Sequence, residues 1–281
     1  MMINQNQQRK LYAICLVKNE DDIIVQTLNY ARRYCDRIFV IDNGSYDRTW
    51  EYVQEQAKTD SGIVPFGQTF EPYARNLRAR VYHELGPQQS EDDWWLILDA
   101  DEFLAEDPQP IIRQAVRERA DVIRSWQIQF YFTDVDLRAW EEGKDSRDRP
   151  VVERRLFYLI RSQERRLFRN RRQLSWPSGN VPKGLGKPCR RLVMNRHYRF
   201  RDPPQIQKRF QQRFLPSDYA GNSTPDWRTR VGDSRKLDLH REGEPWRFRL
   251  LQVSHYYRWK FFKRARKRWD RLPNLIVRKS E

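Results

Sequence analysis

The sequence has no Cys-x-x-Cys pair, no Gly-x-Gly-x-x-Gly turn, no P-loop and no apolar run long enough to cross a bilayer. Each absence excludes something. The three cysteines, Cys15, Cys35 and Cys189, are widely separated. A disulfide framework is therefore not expected, and buried free thiols in a reducing, cytosolic setting are. Without a glycine fingerprint after the first strand, dinucleotide oxidoreductases and P-loop phosphotransferases lose their strongest support. The polar stretch Met1 to Lys10 precedes only seven apolar residues, so neither a signal peptide nor a transmembrane helix is expected. No internal repeat or long low-complexity segment is visible.

What is present is charge. Charged residues make up 33% of the 281, and the net charge of +16 implies an anionic partner. Nucleotide phosphates, nucleic acid and an acidic membrane surface all qualify. The chain can still bury a sizeable core, and single α/β domains reach this length.

The organising stretch is Trp94-Trp95-Leu96-Ile97-Leu98, a short apolar run that reads as a fully buried strand. It ends in Asp99-Ala100-Asp101-Glu102. In an open α/β sheet, ligands bind outside the carboxyl ends of the strands. Clustered carboxylates there suit Mg²⁺ or Mn²⁺ carrying a substrate's phosphates. The competing account is that such acids only cap a helix or line a turn.

Other segments follow the same pattern. Leu11 to Val17 reads as a strand closed by Lys18-Asn19-Glu20, and Ile24, Leu28, Ala31 and Cys35 recur at helical spacing. Ile38 to Ile41 is a second strand, closed by the turn Asp42-Asn43-Gly44-Ser45, with a helix after Asp47. Ile63 to Phe66 is a third, placed at an edge by Pro65. Tyr73, Leu77, Val81 and Leu85 predict a helix with Arg75 and Asn76 in its first turn. This alternation predicts a Rossmann-like, mostly parallel sheet flanked by helices.

Beyond Phe103 a helix carries Ile111, Ile112, Ala115 and Val116, and Trp126 to Phe132 alternates as a half-buried strand. Residues 133–150 read as a loop or short helix. Residues 154–172 are densely basic, 175–184 form a loop, and Asp202-Pro203-Pro204 start a helix bearing Ile206, Phe210 and Phe214. Residues 216–245 read as a linker. Tyr256 to Glu281 holds ten Lys/Arg against two acids, with Tyr257, Phe261, Ala265 and Trp269 on one helical face. A basic amphipathic helix of this kind either lies on an anionic membrane or docks on the domain.

Four stretches together, Leu16-Val17-Lys18-Asn19-Glu20, Ile41 to Thr49, Ala74-Arg75-Asn76 and Leu98 to Phe103, resemble the family-two nucleotide-sugar glycosyltransferases of the GT-A fold. The resemblance is close over 11–104 and looser, through Arg165 to Arg169 and His197-Tyr198-Arg199, to about 214. It implies a GT-A domain over 1–215, with a nucleotide-binding half at 11–104 and an acceptor half at 105–215. A basic helical C-terminal extension, 246–281, would follow the linker.

The resemblance also implies roles. Asp42 looks like the residue that reads the base, or else it only stabilises its turn. Asp99 looks like a ribose, phosphate and metal contact, and Asp101 like the main metal ligand. Lys18, Asn19, Glu20, Arg75 and Asn76 look like nucleotide contacts, Arg75 on a solvated face being the alternative. His197 resembles a late histidine brought to the metal or diphosphate, or is structural. Arg166 and Arg169 clamp the diphosphate or sit on a solvated basic face. The general base has no clear match, and Asp134 and Asp136 are the candidates, with Glu164 behind them.

The implied activity is metal-dependent, inverting transfer of a hexosyl group from a nucleoside diphosphate sugar, UDP-linked, using Mn²⁺ or Mg²⁺. The acceptor would be a glycan or a lipid-linked glycan of polysaccharide biosynthesis. The setting would be cytoplasmic and peripheral to the inner membrane face. Two other readings compete. A nucleic-acid-binding protein fits the interleaved Arg, Lys and aromatics but leaves the acidic cluster unexplained. A nucleotidyltransferase on a related fold wants a Gly-rich basic loop after the first strand, which Lys18-Asn19-Glu20 is not.

Overall fold

The computed structural model describes residues 9–172, 174–213 and 226–248. The chain runs β1 (Leu11–Val17), α1 (Ile24–Ala31), β2 (Arg37–Asp42), α2 (Thr49–Thr59), β3 (Ile63–Gln68), α3 (Ala79–Leu85), β4 (Trp94–Asp99), β5 (Glu102–Leu104) and α4 (Gln109–Arg117). It continues through β6 (Val122–Phe130), α5 (Asp134–Glu141), α6 (Val151–Arg154), β7 (Phe157–Arg169), β8 (Val193–His197), α7 (Pro203–Arg213) and β9 (Asp238–Leu239). One sheet takes the strands in the order β3-β2-β1-β4-β7-β6-β8-β5, with β9 added to β7.

β3, β2, β1 and β4 are mutually parallel. A strand covered by helices on both faces must be apolar at every position. Accordingly Ala13, Cys15 and Val17 of β1 pack with Ile24 and Leu28 of α1. Tyr12, Ile14 and Leu16, on the other face, pack with Val81 and Tyr82 of α3. Trp94 and Trp95 are completely buried on opposite faces of β4. β3 is the edge strand its proline predicts.

Beyond β4 the sheet becomes mixed. β7 is antiparallel to both β4 and β6, β8 is parallel to β6, and β5 is antiparallel to β8. The basic stretch 154–172 is mostly the long strand β7. Residues 133–150 contain α5, which starts on a capping box made by Thr133 and Asp136. The helix expected from Tyr73 starts later. Arg75–Arg78 is a 3-10 turn, α3 begins at Ala79, and Tyr73 stays exposed.

The expected linker needs correcting where it is described. From residue 226 the chain lies on the domain. Trp227 packs on Phe132, β9 pairs with Phe157 and Tyr158, and Trp246 meets the Tyr158 ring edge-on at 5.2 Å. Aromatic burial of this kind outweighs the Gly/Pro content that signals a linker. Residues 226–248 therefore pack with the mixed part of the sheet. Residues 216–225, Phe214 and nearly all of the expected C-terminal helix lie outside the described residues. Among the described residues no helix is long and apolar enough to cross a membrane.

Candidate active site

Because β1, β2 and β4 are parallel and in register, their carboxyl ends meet at one edge. Val17 pairs with Asp42, and Leu16 with Asp99. The polar residues that follow each strand are therefore neighbours. Asn19 adopts the left-handed region at φ 54°, a conformation open to asparagine. Its amide donates to Ser45 Oγ at 2.8 Å, and its Oδ1 accepts from Tyr46 N at 2.9 Å. Its Nδ2 is a buried donor with no partner among the described residues.

The acidic cluster is almost wholly paired, as buried charge must be. Asp99 accepts from Arg78 Nη2 on one oxygen and from Arg166 Nη1, at 2.9 Å, on the other. Glu102 accepts from Arg166 Nη2 and, at 2.8 Å, from Asn195 Nδ2. The β5–β8 ladder pairs Glu102 with His197. It brings His197 Nε2 to 3.3 Å from Asp101 Oδ2, and Arg209 Nη1 lies at the same distance from that oxygen.

These contacts set the ionisation. Burial would raise Asp101, but His197 and Arg209 outweigh it and hold the carboxyl well below the usual range. Burial likewise opposes Asp99, yet Arg166 and Arg78 keep it low. For His197 burial favours the neutral ring, and the Asp101 carboxylate overrides it, raising the pKa. Burial wins at Glu102, pushing it up to about 8.

α7 closes the far side. Arg201, just before it, donates to both oxygens of Asp22 and to Glu20. Lys208 reaches Asp21 and Asp47, and Arg209 reaches Glu20 at 3.2 Å as well as Asp101. The helix is held by Ile206 and Phe210 against Phe132.

The structure thus gathers Glu20, Asp99, Asp101, Arg166 and His197, with Asn19 and the exposed Lys18 on the adjoining loop. Other candidates fall elsewhere. Asp42 is fully buried, and its carboxylate accepts from Ser45 N, Ser45 Oγ and Gln68 Nε2. These bonds hold the turn. Arg75 is exposed, and Asn76 Nδ2 donates to the Pro177 carbonyl at 3.1 Å. The arginine that reaches the cluster is Arg78, one 3-10 turn on.

Arg169 cannot clamp a diphosphate at this edge. It pairs with Trp94, at the opposite end of β4 from Asp99, and bonds Asp92. Five residues of strand separate the two ends by about 16 Å. Asp136 is buried in the capping box, where it accepts from Thr133 N and Oγ1, and is ion-paired with Arg155 at 3.3 Å. Asp134 accepts from Ser234 N at 2.8 Å, an interaction that lowers its pKa and its basicity.

Sequence reasoning missed Arg78, Arg201, Lys208 and Arg209. Only Arg78 carried a signal, three residues after Arg75. The partners of Arg209 lie 189 and 108 residues away, beyond any local pattern.

Both oxygens of Asp99 are held by guanidinium groups. Among the described residues no three His, Cys, Asp or Glu side chains converge on one metal point. Asp101 and His197 do fit half a site. Two donors at ~2.1 Å from one octahedral ion lie about 3 Å apart, close to their 3.3 Å separation. Mg²⁺ and Mn²⁺ sites of this type take their remaining ligands from substrate phosphates and water.

Comparison with known proteins bears on the family of the chain. Three similar solved structures illustrate the relatives. One is mannosyltransferase PcManGT from Pyrobaculum calidifontis, in complex with GDP-Man and Mn²⁺, at 19% identity over 44% of this chain and 37% of that one, TM-score 0.33. The second is GalNAc-T7 with UDP, GalNAc and Mn²⁺, at 14% identity over 46% and 24%, TM-score 0.33. The third is residues 1–349 of S. aureus TarS, at 11% identity over 72% and 64%, TM-score 0.39. The chain spans less than two thirds of the length of each. No curated protein matches it. The sequence profile described as Glycosyl transferase family 2 matches residues 12–177, from β1 to the loop after β7. That is more than half of the chain, and the protein belongs to glycosyl transferase family 2 as a glycosyltransferase of GT-A fold.

Proposed function

We propose that this glycosyltransferase carries out metal-dependent, inverting transfer from a UDP-linked sugar to a glycan or lipid-linked acceptor of polysaccharide biosynthesis. The observation that carries the reading is the meeting of Asp101 and His197 at 3.3 Å, on the carboxyl edge of the parallel strands and among buried arginines. These two side chains would hold Mn²⁺ or Mg²⁺, which when bound supplies Lewis-acid stabilisation to the departing diphosphate. Arg78 and Arg166 fix Asp99 for the ribose and phosphates. Lys18 and Asn19 Nδ2, a buried donor with no partner among the described residues, are the loop's contribution to the nucleotide.

In the reaction the acceptor oxygen forms a bond to the anomeric carbon as the bond to the diphosphate oxygen breaks. The electron pair leaves with the diphosphate, and the hydroxyl proton passes to a carboxylate. Glu164 is that base on this reading. It is partly exposed and shares Arg166 with Asp99, whereas Asp134 and Asp136 are engaged elsewhere. The basic C-terminal stretch would meet an anionic membrane surface on the cytoplasmic side. Co-sedimentation of the full chain with anionic vesicles should weaken as salt rises, and salt-insensitive binding would count against that contact.

The test of the activity is a screen of nucleotide sugars for donor hydrolysis, with Mn²⁺ and with EDTA, for the native protein and Asp101→Asn. The expected result is hydrolysis of a UDP-sugar by the native protein with Mn²⁺, lost in EDTA and in Asp101→Asn. Full activity of the variant, or in EDTA, would sink the metal mechanism.

A further inference from the structure

Two arginines flank the same glutamate and are used very differently. Arg201 is 1% exposed and fully engaged by Asp22, Glu20 and the Tyr198 carbonyl. Arg209 touches Glu20 and Asp101 with a single nitrogen, at 3.2 and 3.3 Å. Both distances exceed the roughly 2.7–2.9 Å of strong charge-assisted bonds. Its Nε is buried without a partner among the described residues. Arg201 is a rivet, and Arg209 is a guanidinium with most of its capacity unspent.

Arg209 also occupies contested space. The Asp101 oxygen it faces is the one that faces His197, the position read above as the protein's half of the cation site. A guanidinium and a divalent cation against one carboxylate oxygen repel each other strongly at such range. One must yield. α7 is pinned by its apolar face and by Asp202, whose Oδ1 accepts from Gln205 N at 3.0 Å. The yielding group is then the Arg209 side chain, by a rotamer change. A nucleotide's diphosphate brings the negative charge the guanidinium gives up, and a planar fork suits two phosphate oxygens.

We infer that Arg209 is an exchangeable counter-ion: it neutralises Asp101 in the empty enzyme and transfers to the donor diphosphate when cation and nucleotide enter together. This rests on reading Asp101 as the metal-side carboxylate. Its consequence is a coupling of fixed sign. Arg209 opposes the cation alone and favours the nucleotide, so it links the two binding events positively.

The experiment uses the full chain and measures two affinities. Mn²⁺ binding without nucleotide is read from the spin resonance of free Mn²⁺, and UDP binding at saturating Mn²⁺ from calorimetry. Arg209→Gln should bind Mn²⁺ several-fold more tightly than native protein. It should bind UDP about 10- to 100-fold more weakly, the loss expected for one hydrogen bond to a charged group. Arg209→Lys, which keeps the charge without the fork, should recover part of the UDP affinity. Affinities that both fall, or that both stay as in the native protein, would overturn the exchange. Asp101→Asn should bind Mn²⁺ weakly. If it binds as tightly as native protein, the metal reading fails, and that variant alone distinguishes this from a failure of the Arg209 role.

Discussion

β1 and β4 meet through Ala13, Ile14, Leu96 and Ile97, with charge in their ladder only at its last pair, Leu16 with Asp99. β7 and β8 instead carry Arg166, Asn195 and His197 into the interior, where each needs a polar partner from another element. The parallel half is held by apolar area, which tolerates approximate fit. The mixed half is held at the site by paired charges, which tolerate no missing partner. Stability and chemistry thus share side chains in the second half and are separated in the first, where the polar site residues sit at or just beyond the carboxyl ends of the strands.

The largest expected contrast is between two carboxylates of the mixed half. Glu164→Gln should lower kcat by about 10²- to 10⁴-fold, the worth of a general base, with UDP affinity and thermal stability near native. Asp136→Ala should do the reverse. Loss of the capping box and of one Arg155 partner should cost about 1–3 kcal/mol in chemical denaturation, with kcat kept in the folded fraction. A collapse of kcat in Asp136→Ala at unchanged stability would restore Asp136 as the base.

Arg166→Ala sharpens the comparison next. It takes the guanidinium from buried Glu102 and leaves Asp99 with Arg78 alone, and should cost about 3–5 kcal/mol. An Ile97→Val change in the parallel half should cost only ~0.5–1.5 kcal/mol. Comparable losses by urea denaturation would erase the distinction.

The acid limb of stability is a subtler effect. Burial works against the Asp202 carboxylate, and the Arg147 bond overrides it and lowers its pKa. A carboxyl depressed in the folded state stabilises above its unfolded pKa, about 4, and that contribution is lost as pH falls through the folded value. Asp202→Asn keeps a competent helix cap but should flatten the dependence of stability on pH below about 4. An unchanged acid limb would remove Asp202 from the account. The smallest effect belongs to Arg169→Ala, which loses a surface pair with Asp92 worth about 0–1 kcal/mol and should leave UDP affinity alone. A marked loss of UDP affinity would return Arg169 to the site.

The same division explains what the sequence discloses. Alternating buried strands and helices up to Asp99 are legible because each element's neighbours are mostly near in sequence and each face is uniformly apolar. Glu20, Asp99, Asp101 and His197 are legible as polar residues at strand ends. Asp42 looked equally promising but spends its oxygens on Ser45 and Gln68, a local bond that residue types alone do not announce. Arg209 was invisible for the opposite reason, since its partners come from two distant loops. The strap from 226 to 248 misleads by composition, because its few aromatics outweigh its many polar residues once Phe132 and Tyr158 are there to receive them.

The central claim is that the two halves meet at Asp101 and His197 to hold one cation with the nucleotide. A double-mutant cycle on UDP binding with Mn²⁺, by calorimetry of native protein, Asp101→Asn, His197→Ala and the double variant, tests it most directly. The account predicts that each single change weakens UDP strongly and that the double variant is little worse than the poorer single. Losses that simply add, or a single variant with native affinity, would contradict it.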